Sequence, residues 1–334
     1  MNYNIYGINR LDSVNNYLCE MRDNKELSNL IKSGNIHKKV RLNLNDKIRE
    51  GMSIMEIINI IEDNIMLNSY NEINKGRAFP VGVSINNCCA HYTLHKGDER
   101  KLKKGDVLKI DYGVHKDGYI TDSAFTISLD KKYDEIMRIS RNATMYGINN
   151  LNIGMDIGDW GDLIQEYVSS KEVEIDNKIY GLKTIKDLTG HSIKRYNVHG
   201  GDFLPSFRFP GYNKKIDNGV WAVELFITNG SGEVYYDDND TSHYRMKDMN
   251  INIERLRKFK GICNKRFNGL PFCDRWVSDL ENYKSNLNIL GNKKVVDKYP
   301  PVYDKIKESI VCQYEHSIYL KDEEKINLTE GLDY

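Results

Sequence analysis

Two runs, Val107-Leu108-Lys109-Ile110-Asp111-Tyr112-Gly113-Val114 and Tyr119-Ile120-Thr121-Asp122-Ser123-Ala124-Phe125-Thr126-Ile127, flank a turn at Asp117-Gly118 and decide how this chain is read. Asp-Gly between β-branched and aromatic runs is a strong hairpin signal. With a two-residue turn Asp122 lies opposite Gly113. Side chains alternate faces along a strand, so Asp111 shares its face with Asp122. The two carboxylates are then diagonal neighbours with backbones about 7–8 Å apart, close enough to reach one cation held between them. A bulge would shift that register. Without a cation the two charges repel.

A carboxylate inside an apolar strand is costly unless it is paired or binds a metal. The same anomaly recurs at Glu224, in Ala222-Val223-Glu224-Leu225-Phe226, and at Glu315, in Gln313-Tyr314-Glu315-His316. A sheet edge or a salt bridge accounts for any one of these acids, but poorly for all four together. His191, in Leu188-Thr189-Gly190-His191-Ser192-Ile193, adds one nitrogen to this oxygen-rich set. Carboxylates with a single imidazole suit divalent Mn, Fe or Co and exclude a thiolate zinc site.

Composition bounds the kind of protein that carries these acids. A chain of 334 residues predicts about two domains or one large one. Charged residues are 29% and hydrophobic ones 40%, with a mean hydropathy of −0.59, which argues against a membrane-embedded or disordered chain. Forty-eight basic side chains balance 48 acidic ones, so no global field favours nucleic acid or anionic lipid. Met1-Asn2-Tyr3-Asn4-Ile5-Tyr6 lacks the basic and apolar regions of a secretion signal. Cys19, Cys88, Cys89, Cys263, Cys273 and Cys312 show no CxxC spacing and read as reduced thiols of a cytoplasmic protein.

Outward from the hairpin, residues 27 to 49 read as a helix. A second helix opens at Gly51-Met52-Ser53-Ile54-Met55-Glu56, where Ser53 and Glu56 have capping-box spacing. The opening recurs at Gly154-Met155-Asp156-Ile157-Gly158-Asp159, with Asp156 as the expected N-cap. This points to an internally duplicated unit of helix and hairpin. Val220 to Thr228, followed by Asn229-Gly230-Ser231-Gly232 and Glu233-Val234-Tyr235, reads as a second hairpin. Residues 250 to 297 look helical and lysine-rich, and strand character returns around Ile310 to Ile318.

Further motifs lie in one order with these: Ala78-Phe79-Pro80, Asn86-Asn87-Cys88-Cys89-Ala90-His91-Tyr92-Thr93, Val198-His199-Gly200, Thr241-Ser242-His243-Tyr244, Phe272-Cys273-Asp274-Arg275-Trp276 and Tyr299-Pro300-Pro301. Together with the four acids and His191 they resemble the type 2 methionine aminopeptidases over nearly the whole chain. That resemblance implies an α+β pita-bread fold with pseudo-twofold duplicated halves. It implies a single catalytic domain over 1–334, with an N-terminal helical segment at 1–50 and a helical insertion at 244–300. It further implies two divalent ions, Co, Mn, Fe or Zn. Asp111 binds one, His191 and Glu224 the other, and Asp122 and Glu315 bridge them.

By the same resemblance Glu224 shuttles a proton, and His91 and His199 hydrogen-bond the scissile amide and the tetrahedral intermediate. Phe79, Val198, His199, His243 and Tyr299 line the pocket for the substrate methionine. The implied substrates are peptide and nascent-protein amino termini whose second residue is small, processed by a monomer. The long charged amino-terminal extension usual in cellular type 2 enzymes does not appear in this sequence, which leaves ribosome association open. His37, His95 and His115 sit among polar neighbours and are expected to face solvent, and His316 points away from Glu315. Two alternatives stand beside this reading. One is a non-catalytic pita-bread binding protein, disfavoured because all five ligand positions are filled. The other is an X-Pro aminopeptidase or prolidase, disfavoured by the insertion and the pocket motifs.

Overall fold

In the computed structural model, which describes residues 25–45, 47–69 and 74–334, the Asp117-Gly118 turn forms as its sequence demands. Both residues take left-handed backbone, with φ of 54° and 81°, which matches the turn to the twist of its strands. Cys19 and the first part of the expected N-terminal segment, Met1 to Asn24, lie outside the described residues.

The first half of the chain forms α1 (Lys25–Asn45), α2 (Ile54–Leu67), β1 (Lys75–Arg77), β2 (Gly82–Ile85), β3 (Cys88–Ala90), the hairpin β4 (Val107–Lys116) and β5 (Tyr119–Ser128), and α3 (Asp134–Asn150). The second forms α4 (Ile157–Ser169), β6 (Glu172–Ile175), β7 (Lys178–Gly181), β8 (Lys183–Thr184), β9 (Gly190–Ile193), β10 (Phe203–Leu204) and β11 (Gly219–Thr228). There follow β12 (Val234–Tyr236), β13 (His243–Met246), α5 (Glu254–Phe267), β14 (Phe272–Cys273), α6 (Tyr283–Asn292), β15 (Val296–Tyr299), β16 (Val302–Asp304), β17 (Val311–Lys321) and β18 (Glu324–Asn327).

Two sheets repeat one plan. β4 pairs along its length with β5 and, on its other edge, with β1 and β2. β11 pairs along its length with β17 and, on its other edge, with β9 and β8. The repeated helix openings are alike to the hydrogen bond. Gly51 and Gly154 are both left-handed, at φ 77° and 82°. Each donates its N–H over 2.8 Å, to the carbonyls of Leu102 and Ile216, and those residues donate back over 2.9 Å to Met52 and Met155. Asp156 caps α4, accepting from the N–H of Gly158 and Asp159. Ser53 caps with no side-chain bond, so the expected capping box is not formed. Its backbone bridges to Lys101 instead.

The two sheets meet along a seam between β5 and β17 made by hydroxyls rather than by a ladder. Ser123 Oγ donates to the Glu315 carbonyl at 2.6 Å, Thr126 Oγ1 to Gln313 at 2.8 Å, and Ser317 Oγ to Asp122 at 2.8 Å. The N–H groups of Asp122 and Gln313 donate back to Ser317 Oγ and Thr126 Oγ1. Buried backbone polar groups are thereby satisfied across the junction.

Three expectations are corrected here. The second hairpin does not close. β11 pairs with β17, whereas β12 pairs with β16, because Asp304 at the end of β16 gathers the intervening loop. Its carboxylate accepts from Thr228 Oγ1, Ser231 N and Oγ, Gly232 N and Ile306 N over 2.8–3.1 Å. The stretch read as helical, 250–297, also supplies β14 and the first half of β15, and these strands flank β13 in a small sheet. That sheet, with α5 and α6, has its own apolar cluster around Leu256, Phe272 and Leu290.

The third correction concerns three histidines. His37 and His115 are buried, and His95 is held between carboxylates, at 2.8 Å from Asp274 and 3.0 Å from Asp240. Around His37 the lysines are polar, but the helical stripe Leu30, Ser33, His37, Val40, Arg41 and Leu44 is buried and faces β4 and β5. His316 does point away from Glu315, to Thr329 and the Tyr334 ring.

His37 Nε2 lies 3.0 Å from the Tyr112 carbonyl and 3.2 Å from that of Ser123. Both are acceptors, so Nε2 carries the proton. Burial, then Arg41, lowers its pKa from 6.5 to about 3. Between those values the unfolded chain binds the extra proton, so stability falls as pH drops through that window. Thermal unfolding followed by circular dichroism should shift to lower temperature on acidification from pH 6.5 to about 4, and His37→Gln should make that dependence shallower.

Candidate metal centre

Asp111 stands on β4 and Asp122 on β5, with Asp122 opposite Gly113 as the turn predicts. Glu224 on β11 and Glu315 on β17 are directly paired, and β9 brings His191 beside them. Ligand-type atoms of Asp122, His191 and Glu315 lie within 4.8 Å of one another, and so do those of Asp111, Glu224 and Glu315. All five predicted residues therefore meet in two groups that share Glu315. The sequence reading pairs Glu224 with His191, whereas here its carboxylate lies with Asp111.

Gln313 explains that grouping. Its Nε2 donates to Glu224 Oε1 at 2.7 Å and to Asp111 Oδ2 at 3.1 Å, holding two like charges around one neutral amide. The motif containing Gln313 is visible in the sequence, but its role was missed. The available signal is its position two residues before Glu315, on the same face of a strand.

The donor set fits divalent cations. Asp122 and Glu315 are buried, and Asp111 Oδ1, Asp122 Oδ1 and Glu315 Oε1 are buried without a hydrogen-bond partner. Among the described residues the one ion-pair contact to the four acids is His191 Nε2 to Asp122 Oδ2, at 3.8 Å. Desolvation raises all four carboxyls. Asp111 is pushed up to about 7, and Asp122, Glu224 and Glu315 are raised further by their neighbours' charges. Acids that are this crowded and lack donors need a positive partner. His191 is suited to the nitrogen position. Nδ1 faces the Ser192 carbonyl at 3.3 Å and so carries the proton, which leaves the Nε2 lone pair toward the acids. Burial, then His199, lowers its pKa to about 3, which keeps it neutral.

A cavity of about 360 Å³ opens on this cluster and is lined by the predicted Phe79, His91, Val198, His199, His243 and Tyr299. His243 and Tyr299 are partners in register on β13 and β15, so one wall of the cavity is delivered by the small sheet. Arg275 docks that sheet onto α2, reaching Glu62 at 2.8 Å, where Arg77 also binds at 2.6 Å. Phe79 enters because residue 113 is glycine: a Cβ there would lie 2.3 Å from its ring. His91 is held in left-handed backbone at φ 63°, a conformation uncommon for a non-glycine residue. Its ring meets Tyr299 edge-on at 5.7 Å. Desolvation in the cavity, then His199, lowers His91 to about 4. His199 is lowered as well, by desolvation and then Arg245. Leu188 and Phe226, from the His191 and Glu224 motifs, also line the cavity, as do Phe203 and Pro271, which lie outside every quoted motif.

The profile of metallopeptidase family M24 matches residues 28–254. A methionine aminopeptidase 2 of Verticillium alfalfae is 37% identical over 97% of this chain and 74% of its own length. The chain belongs to metallopeptidase family M24 and, within it, to the type 2 methionine aminopeptidases. Among solved structures, a thermophilic Arx1 matches this M24 metallopeptidase with a TM-score of 0.74 at 18% identity, over 91% of this chain and 90% of its own. A methionine aminopeptidase of Thermotoga maritima matches with a TM-score of 0.63 at 17% identity, over 92% and 97%. At these identities the likeness is one of fold. Among the described residues no helix is long and apolar enough to cross a membrane.

Protons compete with cations for raised carboxyls. Calorimetric titration of this metallopeptidase with Mn(II) should therefore release protons and give weaker binding at pH 6 than at pH 8. Gln313→Leu removes the amide between Asp111 and Glu224 and should weaken Mn(II) binding about tenfold at either pH.

Proposed function

We propose that this chain removes the amino-terminal methionine from peptides and nascent proteins whose second residue is small, using a centre of two divalent ions. The observation that supports this most is the meeting of four acids and one imidazole, all but Glu315 lining a cavity with apolar walls and two neutral histidines. Glu315, common to both groups, would hold the ions together with Asp122 and His191 on one side and Asp111 and Glu224 on the other. When bound, such ions lower the pKa of water and stabilise a developing oxyanion.

The chain's own side chains do the rest. Gln313 occupies Glu224 Oε1, leaving Oε2 to take a proton from the attacking water and return it to the departing amine. Burial favours the protonated carboxyl of Glu224, which suits a group that must hold that proton briefly. His91 and His199 are uncharged at neutral pH, because desolvation lowers both. They therefore act as hydrogen-bonding groups toward the scissile amide rather than as cations. Phe79, Val198, His243 and Tyr299 form the walls for the first side chain, where an unbranched thioether fits between aromatic edges.

Met-Ala-Ser incubated with Mn(II)-loaded protein should release free methionine. Leu-Ala-Ser should be cleaved at least about tenfold more slowly, since shape discrimination in an apolar pocket is worth that order. Equal rates on the two peptides would refute the methionine reading. His91→Asn, which tolerates left-handed backbone, should lower kcat on Met-Ala-Ser by about a hundredfold while the bound metal, measured by atomic absorption, stays at the parent level.

A further inference from the structure

Beside the metal-ligand candidates the cavity wall continues into a row of rings that neither the acid cluster nor the methionine pocket uses. Phe203 pairs directly with His191 in the ladder of β10 and β9, so the two side chains rise from one face with Cβ atoms about 4.5–5.5 Å apart. Tyr212 stacks on Phe203 with ring centroids 3.8 Å apart, and its hydroxyl accepts the Phe203 N–H at 3.1 Å. Phe209 meets Phe203 edge-on at 5.8 Å. Phe203 lines the cavity, whereas Phe209 is 47% exposed. The row therefore begins at the reacting end and finishes in solvent.

The loop that carries these rings is tethered to α4. Arg208 binds Asp162 of α4 at 2.8 Å and also pairs with Asp159. The loop backbone lies so close to α4 that a Cβ on Gly161 would come within 2.5 Å of the Phe207 carbonyl oxygen. Rigid aromatic rings presented to water at the mouth of a substrate cavity are preorganised for contact.

We propose that Phe203, Phe209 and Tyr212 form a subsite for an aromatic side chain on the third residue of the peptide, counting the released methionine as the first. This rests on the reading that the cavity processes peptide amino termini. An extended chain advances about 3.3–3.6 Å per residue. With the first peptide bond at the acid cluster, the small second residue passes His191 and the third reaches the rings. Continuity decides the occupant: Phe203 is at once a wall of the cavity and the first ring of the row.

Steady-state kinetics of the Mn(II)-loaded protein on Met-Ala-Phe-Ser and Met-Ala-Ser-Ser test this. The phenylalanine peptide should have a kcat/KM about three- to tenfold higher, the order of one aromatic contact. The difference should lie in KM, as expected for a contact made equally in ground and transition states. Phe209→Ala should bring the ratio close to one, Phe209→Trp should keep it, and Ile179→Ala, exposed on β7, should leave it at the parent value. A ratio near one in the parent, or a ratio unmoved by Phe209→Ala, overturns the subsite. Failure to cleave either peptide overturns instead the aminopeptidase reading on which it rests, and the subsite with it.

Discussion

Four carboxylates gathered at one site, three of them lining the cavity and Glu315 buried among them, are the constraint around which this molecule is organised. Each is desolvated, the charges of Asp111, Asp122 and Glu224 raise the proton affinity of their neighbours, and three of the four present buried oxygens that no protein donor reaches. A core cannot hold such a group cheaply. What makes it tolerable is geometry. Every acid projects from the middle of a long, fully paired strand, and a single neutral amide, Gln313, bridges Asp111 and Glu224. The fold converts an unfavourable concentration of charge into a fixed receptacle for positive charge.

The seam between β5 and β17 sets the spacing of that receptacle. Ser123, Thr126 and Ser317 fasten the backbones of the two halves together at Glu315, Gln313 and Asp122, so single side-chain hydroxyls register the acids of one sheet against those of the other. The duplicated helix openings at Gly51 and Gly154 are tied, through Leu102 and Ile216, to the segments that lead into β4 and β11. The later part of the chain then closes one side of the cavity, with His243 and Tyr299 presented on adjacent strands.

Much of this is legible in the sequence because it rests on local rules. Asp117-Gly118 fixes a turn, the turn fixes register, and register fixes the relation of Asp111 to Asp122. The sequence suggests a second hairpin because Asn229-Gly230-Ser231-Gly232 has turn composition. Its path is nevertheless set by Asp304, more than 70 residues away, and such a long-range hydrogen-bond hub leaves no periodic trace. His37 and Arg41 were hidden for the opposite reason. Their lysine neighbours advertise a wet surface, while their own stripe is covered by β4 and β5 and, for Arg41, by Asp333 at 2.8 Å. Gln313 was visible, but its part is defined by two acids that come from other strands.

The two halves contribute unequal chemistry despite their common plan. Each supplies one acid from its central strand and one from that strand's long partner, yet the lone imidazole comes from β9 of the second half. Opposite Asp111 the corresponding edge strand offers only Gly82. The group of Asp111, Glu224 and Glu315 thus offers a cation oxygen alone, whereas that of Asp122, His191 and Glu315 adds a softer nitrogen. The difference in donor chemistry is an asymmetry written into an otherwise repeated scaffold by a single side chain.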